Sequence, residues 1–142
     1  MRRRLNLFIV MGFGTLTAFT VSETSYGGSR GELEARPIKA YCSPSGDLCF
    51  GIFNRSGAVY LEIDTFARYF ARYRLCVRGP SSSEICKSFP VRRRGRLWVS
   101  SVQWYRNFPS EGTGEYRVTW KRAASRLGPT LRFILPLPPN RS

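Results

Sequence analysis

Val91-Arg92-Arg93-Arg94-Gly95-Arg96 puts four cations within five residues, directly before a strand-like run. A planar guanidinium donates two parallel hydrogen bonds, so such a cluster suits phosphate and carboxylate groups. Arg72, Arg74 and Arg78 form a second basic set at strand spacing. Both sets fit equally well a solvated surface that keeps a basic protein soluble. Glu62 and Asp64 are the best-placed carboxylates, two apart on one strand face, and glycoside hydrolysis needs such a pair. Outward acids alternate on any strand, however, and nothing in the sequence implies a pocket that raises a carboxyl pKa, so no catalytic residue is expected. The chain has no histidine. That removes Ser-His-Asp and Cys-His nucleophiles, imidazole bases and His-based zinc or haem sites. It also lacks a glycine-rich phosphate loop and a nucleophile elbow, so the expectation is no enzyme and no cofactor. Tyr60, Trp104 and Tyr105 are candidate stacking platforms, although a two-layer core consumes most aromatic residues.

One compact domain must carry these residues: 142 residues, 42% hydrophobic and 23% charged, are an ordinary globular composition. The formal net charge is +14, and 20 of the 23 basic residues are arginine. Met1-Arg2-Arg3-Arg4 followed by a mostly apolar run from Leu5 to Val21 reads as a signal peptide, residues 1–22, cleaved near Ser22. A membrane anchor is the weaker reading, because Asn6, Gly12, Gly14 and three threonines dilute a run already shorter than the ~20 residues a span needs. Removing residues 1–22 takes three arginines and no acid, leaving +11. Residues 23–36 form a flexible leader, 37–136 the folded domain and 137–142 a proline-rich tail. An exported protein of this charge points to an anionic envelope polymer or membrane surface as partner rather than to specific nucleic acid.

Cys42, Cys49, Cys76 and Cys86 are an even set in an exported chain, which favours two disulfides. A four-cysteine zinc site would call for Cys-x2-Cys knuckles that the gaps of seven and ten residues lack, so no metal is expected. Spacing favours the local pairings, each flanking a turn signal, with the long-range ones left open. Opposing Cys76 to Cys86 sets Val77 against Ile85, Tyr73 against Phe89 and Arg78 against Glu84. Tyr73, Leu75 and Val77 then share an apolar face, with Arg72, Arg74, Arg78 and the disulfide on the other. Lys87 is the misfit on the apolar face: either it snorkels from an edge strand, or the register slips nearer the core. In YCSPSGDLCF, opposing Cys42 to Cys49 leaves Ser45-Gly46 as a two-residue turn.

Val59 to Asp64 alternates cleanly, with Val59, Leu61 and Ile63 inward. Leu97 to Trp104 forms another strand, and Glu115 to Lys121 pairs with Thr130 to Leu135. Phe66-Ala67-Arg68-Tyr69 repeats as Phe70-Ala71-Arg72-Tyr73, and at helical spacing its four aromatics fall in one quadrant. A short connecting helix capped by Asp64 or Thr65 is expected there. The expected architecture is all-β: an antiparallel β-sandwich of seven to eight strands with one short connecting helix and two disulfides.

Gly114-Glu115-Tyr116-Arg117-Val118-Thr119-Trp120 resembles the tyrosine corner and following strand of immunoglobulin-like domains, with Val118 where antibody domains carry a cysteine. That resemblance implies an immunoglobulin-like sandwich without the inter-sheet disulfide. The run from Tyr41 to Cys49, with Leu75-Cys76-Val77-Arg78, Cys86 to Pro90 and Tyr116 to Trp120, is also similar to small exported actinobacterial proteins. It implies source and extracellular location, and no site residue. The functional expectation is a secreted, non-enzymatic binding or structural module that contacts anionic polymer through Arg92, Arg93, Arg94 and Arg96, joined or not by Arg72, Arg74 and Arg78. The alternative is a protease inhibitor presenting Arg78 on the loop between Cys76 and Cys86, with the clamped loop limiting the entropy lost on binding.

Overall fold

The computed structural model describes residues 36–137. The expected signal peptide, nearly all of the expected leader and the expected tail beyond Leu137 lie outside the described residues. Ten strands and one helical turn follow in order: β1 (Arg36–Cys42), β2 (Leu48–Arg55), β3 (Ala58–Thr65), β4 (Arg72–Arg78), β5 (Ile85–Pro90), β6 (Arg92–Arg94), β7 (Leu97–Gln103), α1 (Trp104–Asn107), β8 (Gly114–Arg122), β9 (Ser125–Arg126) and β10 (Leu131–Leu135). They form two antiparallel sheets. The first has the order β1-β2-β3-β7-β6, and the second β10-β8-β4-β5, with β9 paired to β8.

Period-two patterning fixes which side chains meet. On β3, Val59, Leu61 and Ile63 are buried and the residues between them are not, as the alternation requires. These residues, with Phe50 and Ile52 of β2, share one core with Leu75 and Val77 of β4, Tyr116, Val118 and Trp120 of β8, and Leu131 and Phe133 of β10. Phe50 stacks on Trp120 across the two sheets at 4.6 Å between ring centroids. Full burial of each such side chain contributes roughly 1.5–3 kcal/mol. Tyr73 of β4 and Ser100 of β7 add a polar tie between the sheets, 3.2 Å between their hydroxyl oxygens.

The hairpin registers follow the spacing. Both disulfides are local, Cys42–Cys49 and Cys76–Cys86. Tyr73 opposes Phe89 and Val77 opposes Ile85. Lys87 lies exposed on the edge strand β5 and places its ammonium 5.7 Å from the Phe108 ring centroid, so the misfit is resolved by snorkelling. Ser56-Gly57 closes the β2–β3 hairpin with both residues at positive φ, 50° and 83°. Asn54 Oδ1 accepts the Gly57 amide there at 2.9 Å. Tyr116 Oη donates to the Gly112 carbonyl at 2.9 Å and accepts the Glu111 amide at 2.8 Å, which ties the start of β8 to the loop before it.

Three expectations need correction. Residues 66–71 form bends rather than a helix, and Arg72 and Tyr73 already belong to β4. Tyr73 gains complete burial by pairing into the sheet, whereas Phe66 and Tyr69 stay exposed, so no apolar face is packed that would hold a helix there. The short helix of the fold is α1 instead, which turns Trp104 inward against Tyr116 and Phe133 at 4.9 and 5.4 Å. In the first hairpin the turn centres on Pro44-Ser45, because the Gly46 amide bonds the Ser43 carbonyl. Proline at the second turn position fixes φ for that geometry, and Gly46 follows at φ 76°. Finally, Arg78 does not oppose Glu84, whose carboxylate bonds Lys121 of β8 at 2.9 Å.

Candidate anion-binding site

The outer face of the second sheet is where the fold gathers its cations. In strand register, Arg132 of β10 opposes Arg117 of β8, which opposes Arg78 of β4. Four residues further along β8, Lys121 lies between Arg74 of β4 and Arg126 of β9. Two rows of three cations therefore cross the strands, each row about 10 Å long and the two about 13 Å apart from strand geometry. Arg72 extends the basic face and is held by Ser88, its Nη2 donating to the carbonyl at 2.9 Å.

Between the rows runs a strip formed by Thr130, Thr119, Cys76 and Cys86. Thr119 and Thr130 share a hydroxyl hydrogen bond of 2.8 Å, and the disulfide completes the strip. Cys76 is 0% exposed and Thr119 4%, although both belong to the outward face. The recess above the strip, about 310 Å³, is lined by Arg78, Arg117, Arg126, Arg132, Glu84, Thr119 and Thr130.

Two acids sit on this face. Glu115 bonds Arg117 at 2.8 Å and Arg132 at 3.5 Å. The Arg117 hydrogen bond, aided by Arg132, holds the Glu115 carboxyl below the usual carboxylate range. Glu84 is bound to Lys121. Among the described residues, no carboxylate lies within ion-pair distance of Arg74, Arg78 or Arg126. Like charges directly opposed on neighbouring strands cost stability, and here two triplets are held that way.

The arginine cluster that dominates the sequence is dispersed by comparison. β6 is a three-residue edge strand of the other sheet, so Arg92 and Arg94 point outward while Arg93 shares the side of its ladder partner Trp98. Arg93 Nε donates to the Gly95 carbonyl at 3.3 Å, and Arg96 lies in the turn. The cluster and the set Arg72, Arg74 and Arg78 thus belong to different sheets. Sequence reasoning missed Arg117, Lys121, Arg126 and Arg132. Arg117 and Lys121 were findable as the outward positions of an alternating strand, and Arg132 follows once that strand pairs with Thr130 to Leu135. The adjacency of β4 to β8 had no local signal.

Glu62 and Asp64 occupy the outer face of the first sheet, in a depression of about 520 Å³ shared with Arg55, Arg94 and Ser101. Glu62 accepts Arg55 Nη2 and the Ser101 hydroxyl, each at 2.7 Å. Burial, and then the neighbouring Glu62 charge, push the Asp64 carboxyl upward. Of the candidate stacking residues, Trp104 is buried in the core, Tyr60 lies under the Arg55 guanidinium, and Tyr105 is exposed. The sulfurs of Cys76 and Cys86 approach Glu84, but a disulfide offers no thiolate to a metal.

No family model matches this chain, and comparison with curated proteins and with solved structures finds no match. Two closed disulfides fit an oxidising, extracellular environment. Among the described residues, no helix is long and apolar enough to cross a membrane.

Proposed function

We propose that this protein is a secreted, non-enzymatic binding module that holds anionic polymer or an anionic surface against the outer face of its second sheet. The observation that carries the reading is the pair of cation rows in register. A sheet selected only for stability would alternate charge sign across neighbouring strands; one that concentrates positive charge gains when an anion arrives. Arginine supplies five of the six row positions, which suits phosphate and carboxylate recognition. The non-enzymatic reading is supported by Glu62, whose carboxylate is engaged by Arg55 and Ser101.

We also infer an immunoglobulin-like sandwich. With β2 to β5 as strands A, B, C and C′, β6 and β7 as D and E, and β8 and β10 as F and G, the orders A-B-E-D and G-F-C-C′ emerge, with β1 added at the edge. Tyr116, bonded back to Gly112 at the start of strand F, stands at the tyrosine corner. The inhibitor alternative is weaker, because Arg78 is laddered to Arg117 rather than displayed on an open loop.

The test is retention on an immobilised anionic polymer over a salt series. Changing Arg74, Arg78, Arg126 and Arg132 together to Ser should lower the affinity by at least about tenfold at low salt and flatten the salt dependence. Changing Arg92, Arg93, Arg94 and Arg96 to Ser removes the same formal charge and should have a clearly smaller effect. Equal losses from the two variants would mean that net charge alone binds.

A further inference from the structure

We propose that the occupant of the basic face is one linear phosphodiester chain without bases, lying across β10, β8 and β4 in the recess between the two cation rows. The inference rests on the anion-binding reading above and narrows it in two respects, shape and chemistry.

The shape argument starts from the recess. A planar bilayer presents its headgroups to the most protruding side chains and has no use for a sunken strip between them. Here the cations are arranged as two parallel banks about 13 Å apart, and the strip between them is the sheet surface itself. A single extended chain fits between the banks and meets cations on both sides. A duplex, whose two grooves alone are ~8.5 Å and ~7.5 Å deep, is thicker than the strip is wide and cannot enter it. The banks run across the strands, because the cations of each bank are cross-strand partners rather than neighbours along one strand.

The chemistry follows from the donors. Arg78, Arg117, Arg126 and Arg132 line the recess with hydrogens to give, and arginine accepts none. The Thr119–Thr130 contact consumes one of two hydroxyl hydrogens, so the other remains to donate, and the half-exposed Thr130 is the residue able to present it. Glu84 is the one acceptor with a charge, and Lys121 already holds it. A ligand rich in anionic oxygens satisfies this wall, and tetrahedral phosphate oxygens match the guanidinium fork. Among the described residues this face carries no aromatic ring: its outward positions on β4, β8 and β10 are Arg72, Arg74, Cys76 and Arg78, then Glu115, Arg117, Thr119 and Lys121, then Arg132 and Ile134. Proteins that hold single-stranded nucleic acid add stacking worth about 1–3 kcal/mol per base, and nothing here could supply it. The phosphates are therefore what is read.

The experiment titrates the folded, disulfide-intact protein with three probes matched in phosphate content: glycerol-phosphate oligomers, oligothymidylate, and phosphatidylglycerol vesicles. Three variants are compared: the four-arginine Ser variant of the two rows, Thr130→Tyr, which fills the recess without changing charge, and Thr130→Val, which keeps its shape. The glycerol-phosphate chain should bind at least as tightly per phosphate as oligothymidylate, and more tightly than vesicles. Thr130→Tyr should weaken the glycerol-phosphate chain about tenfold and oligothymidylate less, since its ring can stack on a base, while leaving vesicle binding unchanged, and Thr130→Val should weaken both chains by a few-fold. The Thr119 and Thr130 methyl resonances of the unaltered protein should shift with the chains. Affinity should stop rising once the oligomer spans a row of about 10 Å. With four cations engaged, the log-log salt slope should be about −3, taking the single-strand coefficient. Vesicles binding as tightly as chains, unaffected by Thr130→Tyr, would overturn the proposal in favour of a lipid surface. Oligothymidylate binding more tightly than the base-free chain would overturn its chemistry. In both cases the four-arginine variant would still lose binding, whereas its binding every probe normally would sink the anion-binding reading itself.

Discussion

The two outward sheet faces carry one disulfide each and treat their charges in opposite ways. On the first sheet, Arg55 reaches Glu62 at 2.7 Å and Ser101 donates to the same oxygen. Cation, acid and hydroxyl there are neighbours that suit one another. On the second sheet, arginine faces arginine across two consecutive strand pairs, and its two acids bind at the margins of the rows. The strands, hairpins and core packing are of one kind on both sides. The difference teaches that the positive face of the second sheet is set apart by arrangement rather than by composition: the first sheet also carries Arg92 and Arg94 on its outer face, but opposes no cation to another across its strands.

Changes to the two disulfides should produce the largest contrast. Cys76→Ala with Cys86→Ala should cost about 4 kcal/mol and Cys42→Ala with Cys49→Ala about 2 kcal/mol in denaturant unfolding. Their closed loops span ten and seven residues, too similar for chain entropy to separate them. The difference instead comes from Cys76, which is fully buried, so that its truncation leaves a cavity. Equal costs would mean that the strip between the rows is looser than its burial implies.

The tie between the sheets is next in size. Burial, partly offset by the Ser100 hydrogen bond and reinforced by the Glu62 charge, pushes the Tyr73 hydroxyl up to about 12. The folded protein therefore keeps a proton that the unfolded chain loses near pH 10. Stability should be intact below pH 10 and fall by about 3 kcal/mol as pH approaches 12. Tyrosinate absorbance followed together with unfolding checks this, and Tyr73→Phe should remove the dependence. Tyr116→Phe strands the Glu111 amide and should cost about 2 kcal/mol, without altering anion binding on the far side of β8.

The smallest effects sharpen the comparison most, because their signs differ. Glu62→Gln should destabilise by about 0.5 kcal/mol, since it weakens an existing half-exposed pair. Arg78→Thr should stabilise by about 0.5 kcal/mol at low salt, since it relieves a like-charge contact in a sheet that favours threonine. The same substitution should weaken polyanion binding. Conversely, adding the polyanion should raise the melting temperature of the unaltered protein more than that of Arg78→Thr, because only ligand bound to the folded state stabilises it. A destabilised Arg78→Thr would remove the case for strain between the rows.

Legibility in the sequence tracked the distance over which information had to act. The Cys76 and Cys86 hairpin, its register from Tyr73–Phe89 to Val77–Ile85 and the inward face of β3 were all readable, because period-two alternation and a short turn settle them locally. The helix expected at residues 66–73 was not found, since the same aromatic spacing also serves a chain that enters a strand at Arg72. Arg92, Arg93, Arg94 and Arg96 stood out as a run, yet a strand alternates its side chains, and a run of four is divided between two faces and a turn. Arg78 and Arg74 were correctly placed outward, but their partners Arg117 and Lys121 lie some forty residues away.

The amino-acid order by itself determined local matters, namely which residues of each strand face inward and how strongly positive the protein is, and it favoured the local cysteine pairs. Only the tertiary structure decided that β8 lies between β4 and β10, and hence that Arg78, Arg117 and Arg132 form a row. The reason is physical. Hairpin register is set by turn length and side-chain alternation within a few residues, whereas the choice of a distant strand neighbour depends on how two sheets close one shared core.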